Sequence, residues 1–104
     1  MVHGTHNAIK DDRNDHIKIY VNGELLLRSD AKISVFDSGY LVGDGVWEAV
    51  RLSKGTLIFI DDHLSRLWNA AKVTGIQLPF TKQELIDIIN SVLSENNMTD
   101  GVHV

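Results

Sequence analysis

From Ile17 the chain alternates: Ile17-Lys18-Ile19-Tyr20-Val21 interleaves apolar and polar positions, Asn22-Gly23 follows, and Glu24-Leu25-Leu26-Leu27 resumes an extended run. Asn-Gly supplies the positive φ angles of a type I′ turn, so the pattern predicts a β-hairpin. After Arg28-Ser29-Asp30-Ala31 a further extended piece is expected over 32–36, with Ile33 and Val35 on one face and Ser34 and Phe36 on the other. Ser38-Gly39-Tyr40-Leu41-Val42-Gly43-Asp44-Gly45 then carries three glycines, a density that permits backbone conformations closed to other residues. Runs at 46–52 and 56–59 flank Ser53-Lys54-Gly55 and predict another hairpin.

The period then changes from two to 3.6. Leu64, Leu67, Trp68 and Ala71 fall at helical spacing, with Asp61 or Asp62 available as N-cap and Gly75 suited to the residue after the helix. Leu78-Pro79 interrupts, and Thr81-x-x-Glu84 is a capping box ahead of the stripe Leu85, Ile88, Ile89, Val92 and Leu93. Gly101-Val102-His103-Val104 reads as a strand that has only begun, so the unit is expected to be truncated. The resulting class is α+β: a small antiparallel sheet of hairpins packed with two helices. Residues 1–15 are expected to form a mobile N-terminal tail and 16–104 the domain proper.

With 104 residues, 43% hydrophobic and 23% charged, the chain suits one globular domain and neither disorder nor a low-complexity repeat. A formal charge of −4 with ten scattered basic residues lacks the footprint of a nucleic-acid binder. No apolar run approaches the roughly 20 residues of a membrane span, and the first fifteen residues lack the features of a secretory or organelle signal. The absence of cysteine excludes disulfides and thiolate metal sites and suits a reducing, cytoplasmic setting.

Chemistry is sparse. His3 and His6 share a spacing that suits a metal but lack carboxylate support, and Asp61-Asp62-His63 sits where carboxylates complement a helix dipole, so no metal site is expected. No G-x-S-x-G is present, and Gly43-Asp44-Gly45 is followed by a strand-like run rather than the helix a phosphate loop requires. The six lysines lie in tails, turns, caps or polar faces. Arg66 is different: it lies about 200° around the helix from Leu64, beside Ala70 and Val73 on a second face, and reads either as an ordinary surface arginine or, where that face is buried in an interface, as a partner for a carboxylate or phosphate.

In order, Ser34-Val35-Phe36-Asp37-Ser38-Gly39-Tyr40, Gly43-Asp44-Gly45-Val46-Trp47-Glu48-Ala49-Val50-Arg51, Lys54-Gly55, Asp62-His63-Leu64-Ser65-Arg66-Leu67, Gly75-Ile76-x-Leu78-Pro79 and Asp100-Gly101 form a series. It resembles the N-terminal small domain of the class IV, fold-type IV pyridoxal-phosphate enzymes: branched-chain and D-amino-acid aminotransferases, amine transaminases and aminodeoxychorismate lyase. The resemblance runs from about Ile17 to Val104. It implies amino-group transfer between an amino acid or amine and a 2-oxo acid through pyridoxal 5′-phosphate, in a homodimer. By position it makes Arg66 the cofactor-phosphate arginine, Tyr40 a residue of the site for the substrate carboxylate, and Val42, Trp47 and Ala49 pocket-lining residues on neighbouring strands. It assigns no catalytic residue to this chain, because the family's cofactor-linking lysine, its pyridine-nitrogen glutamate and its second phosphate cradle lie in a larger C-terminal domain. The chain by itself is therefore expected to be inactive and to hold the cofactor weakly. The rival reading is a stand-alone module that kept the fold and self-associates without catalysis.

Overall fold

A hairpin lies in the first of two compact units into which the chain divides, one ending at Lys32 and the other running Ile33–Val104. The computed structural model describes residues 9–104; the tail assignment for 1–8, with His3 and His6, lies outside the described residues. Strands β1 (Lys18–Val21) and β2 (Glu24–Leu27) pair antiparallel from Lys18 opposite Leu27 to Val21 opposite Glu24. Asn22 and Gly23 have φ of 50° and 88°, as the type I′ turn requires. Before the hairpin, within the stretch assigned to the tail, Asp12–Asn14 form a 3-10 turn whose N-cap, Asp11, accepts the Arg13 N–H at 2.9 Å.

In the second unit, the extended piece expected over 32–36 is replaced by a turn at Val35 and Phe36, because Ser34 captures the local donors. Its hydroxyl accepts the Phe36 N–H at 3.1 Å and its carbonyl the Asp37 N–H at 3.1 Å, the local competition that disfavours a ladder. The glycine-rich segment becomes a short helix, α1 (Ser38–Val42), capped by the Asp37 carboxylate on the Gly39 N–H at 2.8 Å. Gly43 ends it in the left-handed region at φ 71°.

The strand expected over 46–52 is shorter than its apolar pattern. Only β3 (Arg51–Ser53) is regular, with Val50 exchanging two backbone hydrogen bonds with Val104 at 2.9 and 2.8 Å. Strand β4 (Thr56–Leu57) pairs with one side of β3 across Lys54-Gly55, and β5 (Val102–His103) pairs antiparallel with the other. The 3.6-period reading holds: α2 (Ile60–Thr74) and α3 (Lys82–Glu95) follow. The helix α2 starts at Ile60, one residue before the expected aspartates, with Phe59 in the N-cap position at φ 52°, and Asp61 and Asp62 occupy its first turn, where their charges complement the dipole rather than cap. Gly75 ends it at φ 74°, and the Thr81/Glu84 capping box opens α3. The buried core is Val50, Leu52, Leu64, Ala71 and Leu93, with Trp68 set edge-on to Phe80 at 6.0 Å. Among the described residues no helix is long and apolar enough to cross a membrane.

Candidate functional site

Helix α2 carries His63 and Arg66 three residues apart, hence on one face. Both reach back to Glu48, in the irregular segment that leads into β3. The Glu48 carboxylate accepts Arg66 Nε on Oε2 at 2.7 Å and Arg66 Nη2 on Oε1 at 2.5 Å, a side-on bidentate grip. His63 Nδ1 meets the same Oε1 at 2.9 Å. Glu48 is nearly enclosed, its side chain 8% exposed, whereas that of Arg66 is 71% exposed. The carboxylate is thus held from inside while the guanidinium looks outward.

The electrostatics follow from that grip. The hydrogen bonds from Arg66, and after them the one from His63, lower the Glu48 pKa from 4.5 to about 2, and Glu48 in turn raises that of Arg66. An ionised carboxylate only accepts, so His63 Nδ1 carries a proton and donates it to Glu48. Arg66 spends Nε and one side of Nη2 on Glu48; among the described residues Nη1 has no hydrogen-bond partner. Phe59, Asp62, His63 and Arg66 line an open cleft of about 310 Å³ at this point. A planar cation that lines an open cleft is chemically suited to a phosphate or carboxylate.

The other expected site residues are distributed differently from the sequence reading. Tyr40 and Val42 stand on α1 and are 67% and 77% exposed. Trp47 is 84% exposed, in a segment without ladder hydrogen bonds. Ala49 is half-buried, and its N–H donates to Glu48 Oε1 at 3.4 Å. The placement of Val42, Trp47 and Ala49 on strands is therefore corrected: α1 takes the first, and the irregular segment before β3 takes the other two, since regular pairing begins only near Val50.

Sequence reasoning missed Glu48 and the part played by His63. The signal was a single carboxylate inside the apolar run Val46-Trp47-Glu48-Ala49-Val50. A charge there needs a partner, and His63 and Arg66 share a helical face. Among the described residues no group of three or more His, Asp or Glu is placed to hold a metal ion.

Comparison with known proteins gives this cleft a context. The family described as Amino-transferase class IV matches residues 45–104, which include Glu48, His63 and Arg66. A Methanocaldococcus jannaschii protein named "Putative branched-chain-amino-acid aminotransferase" is 44% identical over 85 residues, covering 82% of this chain and 30% of that protein. The D-alanine aminotransferase of Staphylococcus epidermidis is 38% identical over 84 residues, covering 81% and 30%. Among solved structures, the branched-chain aminotransferase of Thermoproteus uzoniensis with norvaline matches at a TM-score of 0.73 and 27% identity, over 82% of this chain and 30% of that one. The chain thus spans about 30% of the length of the relatives it matches. With the α+β fold, the family match and these relatives in agreement, the chain belongs to the class IV aminotransferases, as a small N-terminal domain of that family.

Proposed function

We propose that this chain supplies the small-domain half of a class IV aminotransferase site, with Arg66 holding the phosphate of pyridoxal 5′-phosphate. Class IV aminotransferases depend on that cofactor, which when bound supplies the electron sink for moving an amino group between an amino acid and a 2-oxo acid. The observation that carries the reading is Arg66 lining an open cleft while Glu48 fixes its Nε and Nη2. In this reading Arg66 binds and orients, Tyr40 helps to form the substrate-carboxylate site, and Val42, Trp47 and Ala49 line the pocket. The substrates are an amino acid or amine and a 2-oxo acid. The exposed apolar residues Ile33, Val35, Phe36, Leu41, Val42 and Trp47 support burial against a second copy in a homodimer. They also favour the one rival worth keeping, a self-associating module without catalysis.

The test compares binding of pyridoxal 5′-phosphate and of pyridoxal, which lacks the phosphate, to the full chain and to Arg66→Ala. Preferential binding of the phosphorylated form, lost in the variant, supports the reading. Equal binding of the two compounds in the wild type contradicts it. Borohydride reduction followed by mass spectrometry adds a second arm: a stoichiometric adduct at one of the six lysines would show a chemistry this reading does not assign to the chain.

A further inference from the structure

Arg66 presents less charge to its cleft than its formal +1. Glu48 neutralises it from behind through a two-point contact, and Asp62 lines the same cleft with a second negative charge. The remaining titratable group there is His63, which donates to the Oε1 that Arg66 Nη2 also uses. With His63 neutral, Arg66, Glu48 and Asp62 together leave one excess negative charge, an unfavourable setting for a dianion. With His63 protonated the three-sided contact around Glu48 carries an added positive charge, and the excess is cancelled. Histidine is the side chain that makes this change between about pH 5 and pH 8.

We propose that His63 is a positioning residue of the anion site: acting through Glu48, it sets the charge Arg66 offers, so that a tetrahedral dianion binds in the cleft with uptake of one proton by His63. This rests on the reading of Arg66 as a phosphate anchor and extends it to His63 and Glu48, which meet at the carboxylate that also holds Arg66. The groups that enter the linkage are Glu48 from the segment before β3 and Asp62 and Arg66 from α2. By linkage, whatever favours the protonated histidine is favoured by it, so affinity rises as pH falls.

The experiment titrates the full chain with sulfate, a tetrahedral dianion that does not itself titrate in this range, at constant ionic strength, and follows amide and arginine side-chain resonances. One charge about 8 Å from a dianion is worth about fivefold in affinity even in a water-like dielectric. Wild type is expected to bind sulfate at least about fivefold more tightly at about pH 5.5 than at about pH 8. His63→Gln keeps a donor for Glu48 but cannot charge, so it is expected to hold the pH 8 affinity at both values. Glu48→Gln, which removes the neutralising charge, is expected to raise the pH 8 affinity. A wild-type affinity independent of pH, or a pH dependence that survives in His63→Gln, overturns the proposal while leaving the anchor reading intact. Sulfate binding unchanged by Arg66→Ala overturns both.

Discussion

Replacing Gly75 by alanine isolates a purely conformational cost at the end of the helix that carries His63 and Arg66. Gly75 sits at φ 74°, and a Cβ built there meets nothing within 4 Å. No clash or lost packing therefore enters, only the penalty of a left-handed backbone for an L-residue, about 1–2 kcal/mol. The hydrogen bonds that fix this conformation are the Gly75 N–H to the Lys72 carbonyl at 3.3 Å and the Ile76 N–H to the Ala71 carbonyl at 2.9 Å. For a unit of this size each kcal/mol lowers Tm by about 4–8 °C. Gly45→Ala is the control: its Cβ also meets nothing, and its φ is not in the left-handed region, so its effect should stay within about 1 kcal/mol of zero. Gly75→Asn should fall between the two, since asparagine tolerates the left-handed region. Thermal and urea unfolding followed by circular dichroism measures all three. Equal stabilities for Gly75→Ala and Gly45→Ala would refute the reasoning.

Two further expectations concern α3 and Glu48. Thr81→Ala removes the acceptor of the Glu84 N–H, held at 3.1 Å, and should cost about 1 kcal/mol in urea unfolding; Thr81→Ser, which keeps the hydroxyl, should restore most of it. Glu48 has its pKa depressed from 4.5 to about 2, so its contribution to stability is full above 4.5 and is lost as pH falls towards 2. The stability gap between wild type and Glu48→Gln, measured by urea unfolding, should therefore be present at neutral pH and narrow across that acidic window. A gap independent of pH would remove the ionised carboxylate from the account.

The features legible in the sequence were those with local causes. Asn22-Gly23 specifies its own turn, Thr81 and Glu84 cap each other, and Leu64, Leu67, Trp68 and Ala71 carry the period of α2 whatever surrounds them. What periodicity misjudged depended on partners. The residues at 46–49 alternate like a strand, yet regular pairing starts at Val50, where Val104 supplies the other edge. Val42 was assigned to a strand, but Asp37 and Gly43 provide local helix signals at both ends of α1. Arg66 was noticed because it lay off the apolar stripe. Glu48 was not, because a contact across 18 residues leaves no spacing to read.

The most direct measurement places the matched segment of this chain into the Staphylococcus epidermidis D-alanine aminotransferase, to which it is 38% identical over 84 residues, and assays amino transfer from D-alanine. The account predicts a folded chimera that transfers the amino group and that loses cofactor affinity, and with it activity, on Arg66→Ala. A folded chimera whose cofactor affinity is the same with and without Arg66 would contradict it.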